Sequence, residues 1–349
     1  MSFSRNATVA RIRAIYGKRL RTEHYKELIT KKSVPEVAEY LKRNTRYSGV
    51  LASIDTNKIH RGFLEDILRK SNFEMYVRLC KFQKLDEEPF YRFLIEYDEI
   101  AEILNAILYL NAGASGSYIA DLPTFLLSRA SFDLLEIAKI RSFKQLLNVL
   151  SRTDYYPILK DVKVDESGKV DFTKCEMKLR THYLKKLLRT VERDFKGQAR
   201  EELKHQIEVQ VDLINIINAY RMKNAFNAGA DEIKKNTLPF YGRISVKKED
   251  KLFEARDIEE FLAILSRTIY GRQLDDISQC TDSIQFERQM RKLRFNIAKR
   301  ALAFSGNVAV SLYSVTYLFE VELNNIIRIV EGIRYGKSTS YIESLLIIS

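Results

Sequence analysis

The chain has 349 residues, 46% of them hydrophobic, and a formal net charge of +12 at pH 7. That length and apolar content can fill one large core or two or three modest domains. Only 13 glycines and 5 prolines are too few for a fold built on tight turns, which need a positive or preset φ.

The abundance of Leu, Ile, Glu, Lys and Arg favours helices instead. In chain order, a basic helix is expected over 5–30 and a short helix over 34–43, the latter ending at Thr45-x-Tyr47. Long helices follow over 57–85 and 88–110. Short helices are expected after Leu122-Pro123 and over 142–150, then a polar turn at Asp165-Glu166-Ser167-Gly168-Lys169, then long helices over 171–195 and 199–226. In the last third, Ile258, Phe261, Leu262 and Leu265 recur at the i, i+3, i+4, i+7 spacing of one helix face. That short helix over 257–265 precedes long ones over 282–304 and 308–335. No stretch of 18 uninterrupted apolar residues marks a membrane-spanning helix. The opening Met1-Ser2-Phe3-Ser4-Arg5 lacks the apolar core of a signal peptide. The fold class is all-α.

The order of elements repeats. Asn111-Ala112-Gly113-Ala114 recurs as Asn227-Ala228-Gly229-Ala230, and Leu122-Pro123 as Leu238-Pro239. Leu150-Ser151-Arg152-Thr153-x-Tyr155 recurs as Leu265-Ser266-Arg267-Thr268-x-Tyr270, all in one register. A fainter third copy is Leu41-Lys42-Arg43-Asn44-Thr45-x-Tyr47. An acidic residue with a polar one three later opens an apolar helix in each copy: Glu96/Glu99, Asp212/Asn215 and Glu322/Asn325. Three units are expected, 1–112, 113–229 and 230–349. Gly113 and Gly229 are read as left-handed residues that end long helices, and Leu-Pro as a helix start. Thr45, Thr153 and Thr268 are read as hydroxyl caps, with Tyr47, Tyr155 and Tyr270 packing back onto the preceding Leu. These are roles in building a fold.

No catalytic constellation is present. There is no GxxxxGKS or GxxxxGKT, and Gly113-Ala114-Ser115-Gly116-Ser117 follows a helix rather than a strand. His24, His60, His182 and His205 form no pair with metal-ligand spacing. Cys80, Cys175 and Cys280, odd in number and without CxxC, read as reduced core residues of a cytosolic protein. No catalytic, metal or cofactor residue is assigned. Residues 1–47 carry twelve Lys/Arg against four Glu, two thirds of the net excess. Arg5, Arg11, Arg13, Lys18, Arg19 and Arg21 are therefore a candidate basic face for an acidic partner. Basic clusters also lie at 180–193 and 288–300. Each carries apolar residues at helical spacing, such as Leu184, Leu187 and Leu188, as amphipathic helices do. A basic helical nucleic-acid-binding or scaffold protein is the alternative that the charge leaves open.

The three helical units, the basic start and the repeated Thr-x-Tyr resemble the central-stalk family of rotary V/A-type ATPases, known as the C subunit in prokaryotes and the d subunit in eukaryotes. Ala10-Arg11-Ile12-Arg13-Ala14 looks like that family's first helix. Leu238-Pro239-Phe240-Tyr241-Gly242-Arg243-Ile244-Ser245 and Asp257-Ile258-Glu259-Glu260-Phe261-Leu262 look like its third unit. The resemblance implies three helical domains arranged pseudo-threefold as a funnel, with no catalysis and no cofactor. It also implies a place on the cytoplasmic face, between coiled-coil shaft subunits of D and F type and the membrane rotor ring. Membrane contact would then be indirect, with no nucleic-acid partner and no homo-oligomer.

Overall fold

The computed structural model describes residues 2–85, 87–114, 118, 119, 122–274, 277, 280 and 282–348, with side chains from residue 6 onward. The described residues form helices and no named strand, as the composition requires. In the first third lie α1 (Ser2–Gly17), α2 (Thr22–Leu28), α3 (Val34–Asn44), α4 (Ser48–Leu51), α5 (Arg61–Phe82) and α6 (Phe93–Asn111). The middle holds α7 (Leu134–Ile137), α8 (Phe143–Val149), α9 (Tyr156–Leu159), α10 (Phe172–Asp194) and α11 (Gly197–Phe226). The last third holds α12 (Ala230–Lys235), α13 (Val246–Glu254), α14 (Ile258–Ser266), α15 (Ser283–Phe304), α16 (Val308–Arg334) and α17 (Thr339–Leu345). No helix among the described residues is long and apolar enough to cross a membrane.

Local chemistry sets most boundaries. The Ser33 hydroxyl accepts the Glu36 amide with Pro35 in the first turn of α3, and Asp171 and Asp257 cap α10 and α14 in the same way. Asn307 takes the Ala309 and Val310 amides and starts α16. Gly113 (φ +66) and Gly336 (φ +60) supply left-handed residues after α6 and α16, where the next amide reaches back to the Tyr109 or Gly332 carbonyl. Gly229 does not play this part. Asn227 (φ +45) ends α11, while Gly229 (φ −75) precedes α12. Asn tolerates the left-handed region through its short polar side chain.

Other expectations shift for stated reasons. The basic helix expected over 5–30 is broken after Gly17, because the Leu20 amide leaves the helical path to donate to Glu322 Oε2 at 2.6 Å. Pro89 opens a 3-10 turn before α6. Pro123 precedes a 3-10 turn at Thr124–Leu126, whereas Leu238-Pro239 starts no helix; Asn215 holds Leu238 in a loop. The polar segment at 165–169 is a tight turn, with the Asp165 carboxylate taking the Ser167 and Lys169 amides.

The core divides in a regular way. One cluster joins the C-terminal half of α11 to α12–α14 and the N-terminal half of α15, through Tyr220, Phe261 and Phe286. Another joins the C-terminal half of α16 to α17, α2–α4 and the start of α5, through Ile326, Ile329, Leu41 and Tyr47. The largest holds α6 with α7–α10, and reaches α1 and the N-terminal half of α16. Cys80, Cys175 and Cys280 are buried, and no disulfide joins them.

Candidate functional site

The Thr-x-Tyr copies occupy the same local geometry. Each Thr hydroxyl donates back to the carbonyl of the helix before it: Thr45 to Leu41, Thr153 to Leu150 and Thr268 to Leu265, at 2.7, 2.8 and 2.7 Å. The same oxygen accepts the Tyr amide two residues on, at 3.2, 3.2 and 3.3 Å. The threonine thus closes one helix end and orients the turn that follows, rather than capping only the next helix. The tyrosines are buried, and their hydroxyls, not only their rings, carry the interaction. Tyr155 donates to Glu99 at 2.5 Å, Tyr270 to Asp212 at 2.7 Å and Tyr47 to Glu322 at 3.0 Å.

Each acid sits inside a long helix: Glu99 in α6, Asp212 in α11 and Glu322 in α16. Each also collects donors from the loop or segment beyond. Asp212 takes the Gly242, Arg243 and Ile244 amides at 2.7, 2.7 and 2.9 Å. Glu99 takes the Ser131 amide. Glu322 takes the Leu20 amide and the Arg46 guanidinium, the latter at 2.8 Å. Arg46 in turn donates to the Tyr47 hydroxyl and lies over the Phe319 ring. Burial pushes the Glu99 and Asp212 carboxyls up, and the Tyr hydroxyl is the largest opposing influence on each.

The polar residue one turn later is Asn215 or Asn325. Asn215 grips Leu238 by amide and carbonyl, at 2.7 and 3.3 Å; Asn325 grips Ile347 likewise, at 3.0 and 2.8 Å. In the first copy the acid and its follower are Glu99 and Glu102, one turn past the expected Glu96 and Glu99. Glu102 accepts the Tyr118 hydroxyl, and Glu96 instead pairs with Lys186 across to α10 at 2.8 Å. Glu102 lines the cavity between α5, α6 and α16, and no cluster of metal-ligating side chains occurs among the described residues.

The N-terminal basic residues are placed individually. Arg13 donates to the Leu302 and Ser305 carbonyls at 2.9 and 2.8 Å, closing the end of α15. Arg11 covers the Phe82 ring and Arg19 the Tyr16 ring. Lys18 and Arg21 are exposed, and the Arg5 side chain lies outside the described residues.

Two large concavities stand out among the described residues. A cavity of about 1100 Å³ lies between α5, α6 and α16, with Asp66, Asp98, Glu320 and Arg69 in its wall. Burial drives the Asp98 carboxyl up to about 8, with the Arg69 charge opposing. A trough of about 1360 Å³ runs beside α10, flanked by α9 and α12. From sequence alone its lysines and arginines read only as the polar face of an amphipathic helix.

A family model described as "ATP synthase (C/AC39) subunit" matches residues 8–345. The chain is 25% identical over 272 residues to the C subunit of an A-type ATP synthase from Desulfurococcus sp. (strain SY), covering 77% of this chain and 70% of that protein. It is 24% identical over 318 residues to the A-type ATP synthase C subunit from Pyrococcus horikoshii, covering 90% and 81%. A third relative of the same description, from Methanosarcina acetivorans, is 21% identical over 347 residues and covers 97% and 92%.

Proposed function

The chain belongs to the ATP synthase (C/AC39) subunit family, and on that premise we propose that it is a non-catalytic central-stalk component of a V/A-type rotary ATPase. In this role it couples a coiled-coil shaft of D and F type to the membrane rotor ring. The observation that carries the reading is the family match over nearly the whole chain. The three buried acid–tyrosine bonds support it: two pin long helices to segments that follow and the third pins α16 to the segment around Tyr47, and torque transmission needs such stiffness. The units 1–112, 113–229 and 230–349, set pseudo-threefold as a funnel, belong to the same proposal. So do a cytoplasmic, peripheral location, a membrane contact made only through the ring, and the absence of a nucleic-acid partner and of self-association.

In this reading the cavity between α5, α6 and α16 receives one helix end of the shaft. A helix with side chains is roughly 10 Å across and rises about 1.5 Å per residue. A volume of about 1100 Å³ thus holds roughly nine residues of one helix. Affinity purification of the tagged chain from native membranes tests the assignment. Co-recovery of rotor-ring and shaft subunits is expected; recovery of the chain without them overturns it.

A further inference from the structure

The trough beside α10 carries charge that the packing of the chain does not use. Lys174, Lys178, Lys185, Arg189 and Arg193 recur along one side of α10 at intervals of four or seven residues, the spacing of a helix stripe. From Lys174 to Arg193 that stripe is about 28 Å long. Lys234 and Lys235 of α12 stand on the facing wall. Asp154 and Asp171 are the only acids among the lining residues described.

Some of these cations are already committed. Lys186 binds Glu96 and Asp154 at 2.8 Å each; Arg193 binds Asp194 and Lys234 binds Asp250. Lys174, Lys185, Arg189 and Lys235 have no acidic partner among the described residues. Lys178 reaches only the Ile158 carbonyl, at 3.3 Å, and Lys185 lies over the Phe240 ring. The wall also carries apolar side chains, half-buried Ile158 and Met177 and exposed Pro157 and Pro239, interspersed with threonines.

We propose that this trough docks an acidic amphipathic helix of a partner protein of the complex, with glutamates and aspartates against the α10 stripe and apolar residues against Ile158 and Met177. It rests on the proposed rotary-ATPase role for the source of that helix, and on the trough alone for its chemistry. The dimensions agree. About 1360 Å³ spread over about 28 Å gives a section near 50 Å², roughly 60% of a helix of 10 Å diameter, so the trough half-embeds one helix of about nineteen residues. Other polyanions fit less well. A bilayer surface cannot enter a concave wall. A nucleic-acid strand needs stacking platforms, and no Phe or Tyr is among the described residues that line the trough, nor does the chain contain Trp. The occupant is also different from the shaft end assigned to the α5–α6–α16 cavity, which offers acids as well as arginines.

The test uses the full-length chain and a fluorescein-labelled 21-residue peptide with Leu and Glu at helical spacing, read by anisotropy. Its controls are a peptide of the same composition in scrambled order, phosphatidylglycerol vesicles and a 20-nucleotide single-stranded DNA. The amphipathic peptide is expected to bind at least about tenfold more tightly than the scrambled one, with affinity falling as salt rises. The triple variant Lys178→Glu, Lys185→Glu, Arg189→Glu should lose binding about a hundredfold, whereas Lys70→Glu with Lys81→Glu, at exposed positions outside the trough, should leave it unchanged. The stripe residues are exposed or half-buried, so the triple variant should fold, and circular dichroism checks this. Equal binding of the two peptides, no effect of the triple variant, or tighter binding of vesicles or DNA would each overturn the proposal. These outcomes are independent of co-purification: a chain that recovers ring and shaft yet ignores the peptide refutes the trough alone.

Discussion

Replacing Tyr155, Tyr270 or Tyr47 by Phe removes one hydroxyl from a buried carboxylate and leaves the ring in place. A hydrogen bond to a charged group contributes about 1.5–3 kcal/mol, against about 0.5–1.5 for a neutral pair. The structure ranks the three by what each acid keeps. After Tyr270→Phe, Asp212 still holds three amides within 2.9 Å. After Tyr47→Phe, Glu322 retains Arg46 and the Leu20 amide. After Tyr155→Phe, Glu99 keeps the Ser131 amide and only a half-exposed Arg92 at 3.7 Å. Tyr155→Phe should therefore cost about 3 kcal/mol and Tyr270→Phe about 1.5, with Tyr47→Phe between them. Tyr220→Phe is the neutral control, since its hydroxyl donates to the Cys280 carbonyl at 2.7 Å, and about 1 kcal/mol is expected. Urea unfolding at pH 8 and pH 5 reads the losses. The Glu99 carboxyl is already raised by burial, and losing Tyr155 raises it further. A group raised in the folded state binds its proton there first, so the penalty is full at pH 8 and shrinks as pH falls through the folded value. A Tyr155→Phe loss at pH 8 no larger than the control, or one that grows at pH 5, would refute the reasoning.

Gly242→Ala should cost about 3 kcal/mol or more in urea unfolding, because a Cβ there meets the Glu208 carbonyl at 2.1 Å and the Asp212 carboxylate at 2.5 Å. Gly229→Ala, with nothing within 4 Å of its Cβ and φ −75, should shift stability by no more than about 1 kcal/mol in the same assay, because the entropy gain in the unfolded chain opposes the poorer N-cap of α12. Glu249 is buried, and burial raises its carboxyl to about 7 against the hydrogen bond from Asn215. The folded chain then takes up a proton between about pH 4.3 and 7 that the unfolded chain does not, so this group's contribution falls by about 2–4 kcal/mol as pH rises across that window. Glu249→Gln should match the parent near pH 4 and exceed it at pH 8; equal stability at pH 8 would contradict this. Cys175 is fully buried with its thiol pushed up to about 12, so a thiol reagent at pH 8 should modify it only after denaturation, as mass spectrometry of the labelled peptide would show.

Periodicity and capping residues made the long helices legible: α10, α11, α15 and α16 lie within a few residues of their expected ranges. Helices α12, α13 and α17 were not foreseen. Two are six or seven residues long, and α13 follows a Leu-Pro that read as a helix start. Both halves of each acid–tyrosine pair were visible as repeats, but nothing local joins residues 56, 58 or 275 positions apart. In the first copy the register misled: the offset of Asp212 from Asn227, counted back from Asn111, selects Glu96, whereas the acid that meets the tyrosine is Glu99, one turn nearer the end of α6. The trough stayed hidden for a related reason. The cations of α10 become a site only when α9 and α12 wall them in, and neither element is near them in the helical repeat.

The third acid–tyrosine pair differs from the other two in one respect that bears on the whole chain. Glu99 and Asp212 recruit a Tyr further along the chain, whereas Glu322 recruits Tyr47, Arg46 and Leu20 from the other end of the sequence. No covalent link shortens that closure, and it alone contains an ion pair buried on both sides, Arg46–Glu322. Replacing one partner of a buried pair strands the other charge and costs about 3–5 kcal/mol. A closure held in this way is cooperative: it keeps the N-terminal segment on α16 or loses all three donors together. The repeat is therefore closed in packing: the segment that completes the last long helix, α16, is supplied by Leu20, Arg46 and Tyr47.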